Sequence, residues 1–244
     1  VARRTSRQSR REAEEIGEPV PEIKIRPDYI TFDCYGTLIN FEIQSTTRRL
    51  LGDQLTDEEF KAFVPAFRAY RYDQVRGDSY YAYEQVLEDS FTRVCRRWGL
   101  QVPEGSGKEF GDAVRSWGPH ADVPAPLKTL SGEFPLVILS NADDAFLDIS
   151  VPRLGADFHA VYTAEQAGAY KPRYKAFEYM LDSLGTQPDK ILHVSSHTRY
   201  DIMPCTDLGI TNTVLLDRGY DPPSPSYGYV RVESLDELNT LLGL

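Results

Sequence analysis

"ITFDCYGTLIN", residues 30–40, decides how the rest of the chain is read. An apolar run ends in an acid, Asp33, and turns through Gly36 into Thr37. With Tyr29 in front, "YITFD" (29–33) reads as a buried strand. Its acid stands at the carboxyl end, where ligands of open parallel sheets bind. Tyr35, two residues after the acid, puts a phenol where a second carboxylate would make an acid pair.

Outward from this strand, "PLVILSN" (135–141), "AVYTA" (160–164), "KILHVSS" (190–196) and "TNTVLLD" (211–217) read as further strands. Between them lie "DDAFLDISVPRLG", "PRYKAFEYMLDSLG" and "YDIMPCTDLG", helical patterns that each end in a glycine stop. The alternation predicts an α/β fold, a Rossmann-like parallel sheet with helices on both faces. "SLDELNTLLGL" closes the chain, with Ser234 and Glu237 at capping-box spacing. Residues 45–118 break the alternation. "TDEEFKAFVPAFRAYRYDQV" opens on another capping box, Thr56 to Glu59, and "YAYEQVLEDSFTRVCRRWG" and "GKEFGDAVRSW" are also helical. The expected organisation is a basic/acidic tail over 1–25, a core made of 26–44 and 119–244, and an inserted helical cap over 45–118.

Length and charge narrow the function. The 244 residues suffice for a sizeable core, and a hydrophobic fraction of 41% is ordinary for a globular protein. No apolar run approaches the roughly 20 residues of a membrane span, so no membrane role is expected. The N-terminal "VARRTSRQSRREAEEIGE" has no apolar segment of a secretory signal. Net charge is −10; of the 27 bases, five lie in the first eleven positions, leaving 22 against 37 acids. That balance disfavours nucleic acid as a partner. An anionic substrate then needs a locally positive pocket. Three cysteines, Cys34, Cys95 and Cys205, without metal-ligand spacing, fit a reducing cytoplasm.

The chemistry-bearing residues fall at the predicted strand ends. Asp33 and Thr37 follow the first, Ser140 and Asn141 end the second, and Lys171 lies in "GAYKPRY" past the third. Ser195, Ser196 and His197 end the fourth, with Asp201 just after. One carboxylate, one ammonium, hydroxyls, an amide and a second carboxylate would converge on one crevice. Cys34 beside Asp33 suggests a cysteine hydrolase, but strand alternation turns its thiol away from Asp33.

At these residues the chain resembles the haloacid dehalogenase superfamily. "DCYGT" is similar to its first motif, "LSN" to its second, "YKP" to its third and "SSHTRYD" to its fourth. The resemblance implies the HAD fold with a mobile helical cap. Phosphatase members carry Asp two residues after the nucleophile as general acid, and acids in motif four that bind magnesium. Here Tyr35 replaces the general acid and motif four offers only Asp201. A halide leaves without protonation, so the motif is closer to the type II 2-haloacid dehalogenases. They imply a metal-independent hydrolase without cofactor, acting on a short 2-haloacid of the (S)-2-haloacid type, and a homodimer.

The same resemblance assigns roles. Asp33 is the nucleophile that forms an ester. Lys171 keeps Asp33 ionised and stabilises charge on the ester carbonyl. Asp201, with Ser195 and His197 nearby, positions water, and Thr37 supports the site. Ser140, Lys171 and backbone N–H groups of motif one, with Cys34 and Tyr35 among the binding residues, hold the substrate carboxylate. Asn141 and a cap arginine receive the halide; Arg68, which follows Phe67, is the best match, with Arg71 one turn away in reserve. Two departures stand out: Phe177 replaces a tyrosine found in some relatives, and His197 stands where relatives have Asn. The competing readings are a phosphatase with a degraded acid site and a non-catalytic binding protein of the same fold.

Overall fold

The computed structural model describes residues 22, 23 and 25–244, so nearly all of the tail expected over 1–25 lies outside the described residues. A six-stranded, all-parallel sheet organises the chain. Its strands are β1 (Tyr29–Phe32), β2 (Leu136–Ser140), β3 (Ala160–Thr163), β4 (Ile191–Ser195), β5 (Asn212–Leu216) and β6 (Val230–Val232), in the order β3-β2-β1-β4-β5-β6. Every residue of β2, β4 and β5 is buried. This is why these strands read as mostly apolar runs without polar–apolar alternation, the polar residues among them being buried as well. β1 sits centrally; the chain first builds outward to β2 and β3, then crosses back to β4. The reversal leaves a crevice beyond the carboxyl ends of β1 and β4, the usual ligand site in such sheets.

Five helices follow β1 before the next strand, and the first four form the inserted layer: α1 (Ile43–Leu51), α2 (Asp57–Gln74), α3 (Tyr83–Trp98) and α4 (Ser106–Ser116). The expected cap begins two residues inside α1. The Thr56–Glu59 capping box forms as read, and α2 runs on through Pro65. Phe63, Phe67, Phe91 and Phe110 pack as a fully apolar centre for this layer, with ring centroids 5.2–6.4 Å apart. The layer joins the sheet through paired crossings: Ile39 bridges Pro119, and the Asn40 amide donates to the Gly118 carbonyl at 2.9 Å.

The remaining helices are α5 (Pro124–Glu133), α6 (Asp144–Ser150), α7 (Ala164–Ala167), α8 (Tyr174–Leu184), α9 (Met203–Asp207) and α10 (Leu235–Leu241). At α10 the Ser234 hydroxyl accepts the Glu237 amide at 3.2 Å, but the Glu237 carboxylate reaches the Glu233 amide instead of closing the box on Ser234. β6 and α5 add to the sequence reading. Among the described residues no helix is long and apolar enough to cross a membrane.

Candidate active site

The sheet delivers Asp33 to the crevice because β1 ends one residue before it, its amide still held by the Val194 carbonyl of β4 at 3.1 Å. The next residues turn back sharply. Gly36 has φ +97°, and a Cβ there would stand 2.6 Å from His197 Nε2. The turn therefore needs glycine both for its backbone and for the ring packed on it. It brings Thr37 Oγ1 to 2.7 Å from Asp33 Oδ2, and the same oxygen accepts the Ser196 amide at 2.9 Å.

Lys171 links the two acids. Its Nζ lies 2.9 Å from Asp33 Oδ1, 2.7 Å from Asp201 Oδ1 and 2.8 Å from the Leu139 carbonyl, so all three donors are used. The side chains of Lys171, Asp33 and Asp201 are 1%, 7% and 0% exposed. Burial alone would push the ammonium down; the charges of Asp201 and Asp33 overcome it and hold Lys171 above its ordinary range. Burial likewise pushes Asp201 up, and the Lys171 charge with the His193 hydrogen bond overcomes that, so its carboxyl lies below the ordinary range. Asn141 fixes the Lys171 backbone from both sides, accepting its amide at 2.6 Å and donating to its carbonyl at 2.8 Å. Asp201 rides on a π-helical turn (Thr198–Ile202), and its Oδ2 accepts the Ser195 hydroxyl at 2.9 Å.

Above this network lies a cavity of about 80 Å³, room for a molecule of a few non-hydrogen atoms. Asp33, Ser140, Asn141, Lys171 and His197 form its floor; Arg68 and Arg71 of α2, Val75 just past it, and Tyr83, Val86 and Leu87 of α3 line it from the helical layer; Phe41, Tyr200 and Tyr220 line its sides. Two polar groups on it lack partners among the described residues: the buried Ser140 Oγ and Arg71 Nε. The Arg71 guanidinium rests 5.0 Å from the Phe41 ring centre and 5.1 Å from that of Phe67. Asp143, after motif two, ties the helical layer down by accepting the Tyr80 hydroxyl at 2.7 Å and the Tyr83 amide at 2.9 Å.

Most of the residues singled out in the sequence meet here, with three qualifications. The Cys34 side chain is fully buried and off the cavity, and burial pushes its thiol far up, so only its backbone can face a ligand. Tyr35 borders the cavity, but its hydroxyl turns away to the Phe146 carbonyl (3.2 Å) and Ser150 Oγ (2.8 Å). Arg68 is more than a third exposed and bound to the Tyr220 carbonyl and, at 3.1 Å, to Asp221, while Arg71 reaches into the cavity. Sequence reasoning missed His193, fully buried in β4, with Nε2 3.0 Å from Asp201 Oδ1 and Nδ1 2.7 Å from Thr31 Oγ1. The available signal was strand alternation, which puts positions 193 and 195 on one face. Phe177 packs on the His193 ring, centroids 6.0 Å apart, rather than on the cavity.

Comparison with known proteins places the chain in a family. The family model for haloacid dehalogenase-like hydrolases matches residues 27–209. (S)-2-haloacid dehalogenase 4A of Burkholderia cepacia is 26% identical over 218 residues, covering 86% of this chain and 93% of that protein. Pyrimidine 5'-nucleotidase YjjG of Escherichia coli is 24% identical over 223 residues, covering 88% and 97%. Among solved structures, L-2-haloacid dehalogenase RSc1362 superposes with a TM-score of 0.75 at 21% identity, covering 90% of this chain and all of that one, a likeness of fold.

Proposed function

The chain belongs to the haloacid dehalogenase-like hydrolases, and from that premise we propose that it hydrolyses a short 2-haloalkanoate to the 2-hydroxy acid through an ester on Asp33. The observation that carries this reading is the Asp33 carboxylate, charge-paired with Lys171 at the floor of a small cavity with the Arg71 guanidinium on its other side. A nucleophile, a positive floor and a cation opposite are what displacement of halide from a carboxylate-bearing carbon needs. The similarity to the Burkholderia cepacia enzyme supports the same substrate class.

The first step forms the bond from an Asp33 oxygen to C2 as the carbon–halogen bond breaks, inverting C2 and releasing halide. Water then adds to the Asp33 acyl carbon, the acyl–oxygen bond to the product breaks, and one proton goes to solvent. The product keeps an original Asp33 oxygen, and Asp33 takes one from water. Ser140 Oγ and the amides of Cys34 and Tyr35 hold the substrate carboxylate. The backbone hydrogen bonds of the loop start from Asp33, Gly36, Thr37, Leu38 and Ile39, and use neither of those two amides. The halide role expected of Arg68 passes to Arg71, because Asp221 and the Tyr220 carbonyl already hold Arg68. Asn141 joins it, and Asp201, Ser195 and His197 serve the water step.

The reading includes metal independence, on the ground that the Lys171 ammonium stands between the two carboxylates that a bridging cation would need. It also includes a homodimer and a reducing cytoplasm; the free, buried Cys34, Cys95 and Cys205 support the latter. The nucleotidase similarity keeps a phosphatase as the second reading. Against it, the phenol of Tyr35 is turned away from the site where a general acid would protonate an alkoxide. The test measures free halide from chloro-, bromo- and fluoroacetate, and phosphate from a generic ester, each with and without chelator. Halide release unaffected by chelator is expected; magnesium-dependent phosphate release without halide would establish the second reading.

A further inference from the structure

Three hydrogen bonds converge on Asp201, and the least expected comes from inside the sheet. His193 is wholly buried in β4, opposite Thr31 of β1 in the strand register. A carboxylate only accepts, so in the neutral ring the proton lies on Nε2 toward Asp201, and Nδ1 is left to accept from the Thr31 hydroxyl. One tautomer and one ring orientation follow, with the Phe177 ring packed against the imidazole.

The donors divide by half-reaction. Asp33 is held by Lys171 and Thr37; Asp201 by Lys171, His193 and Ser195. Only Lys171 belongs to both sets. Lys171 and His193 share Oδ1 of Asp201, which leaves Oδ2 as its more basic oxygen. Once Asp33 is esterified it carries no charge, and Asp201 alone then faces the Lys171 ammonium.

We infer that His193, fixed by Thr31, is a positioning residue for hydrolysis of the ester and not for its formation, acting through Asp201. The inference rests on the ester reading of the preceding section. Removing one hydrogen bond to a buried carboxylate corresponds to roughly 10- to 100-fold in rate. That loss falls on the second step alone.

The experiment mixes enzyme with bromoacetate in single-turnover format and follows both free bromide and the intact-protein mass. In His193→Phe, bromide release in the first turnover is unchanged, the ester adduct accumulates, and its decay is slowed roughly 10- to 100-fold. In steady state kcat and KM fall together while kcat/KM holds. His193→Gln, which keeps an N–H donor, recovers most of the decay rate. If the phenylalanine variant does not fold, Thr31→Val keeps the ring, and the same slowing with smaller amplitude is expected. Equal slowing of bromide release and ester decay, or unchanged ester decay in the folded variants, overturns the inference and leaves the dehalogenase reading intact. No bromide and no adduct from the unaltered protein overturns both.

Discussion

The Nζ of Lys171 lies 2.9 Å from Asp33 Oδ1 with both side chains almost wholly out of water. So close a pair sets a fixed positive charge beside the carboxylate proposed as nucleophile, and Asp201 shares the same ammonium at 2.7 Å. Lys171→Met leaves two buried carboxylates without their cation. Turnover falls by about 10²–10³-fold or more, and stability falls by about 3–5 kcal/mol. Steady-state halide release and denaturant unfolding measure the two effects separately.

The same cluster sets a pH window for stability. Asp201 is held below its ordinary 3.8, so its contribution is present above that value and is lost as pH falls further through its lowered folded value. Lys171 is held above its ordinary 10.5, so its contribution is complete below that value and is lost as pH rises through its raised folded value. Thermal melts across pH should show a plateau between these limits with a fall on each side. In Lys171→Met the alkaline fall due to this group disappears.

How much of this was legible in the sequence varies with the physics behind each feature. The strands leading into Asp33, Asn141 and Ser196 were legible because burial on both faces leaves a mostly apolar run that stops where the sheet meets the crevice. β6 was not, because it is a three-residue edge strand whose flanks follow a tract rich in Pro, Ser and Gly. His193 lay inside a run that reads as core. Arg68 and Arg71 occupy neighbouring turns of α2, and what separates them is Asp221, 153 residues from Arg68 in the chain. No local pattern reports such a partner.

That separation predicts different outcomes for two conservative changes. Arg71→Lys exchanges a planar fork packed against Phe41 and Phe67 for a compact ammonium, and should lower kcat/KM about 10²-fold. Arg68→Lys keeps a cation beside Asp221 and should stay within a few-fold of the parent. Halide release at saturating and limiting substrate distinguishes them, and the reverse order would return the halide role to Arg68.

The central claim is that Asp33 becomes esterified, and one measurement addresses it directly. A single turnover is run in heavy-oxygen water with enzyme in excess over a 2-haloacid, followed by mass analysis of the product and of the peptide containing Asp33. The expected result is label in Asp33 and none in the 2-hydroxy acid. Label in the 2-hydroxy acid and none in Asp33 would mean that water attacks C2 directly, and would contradict the ester on Asp33.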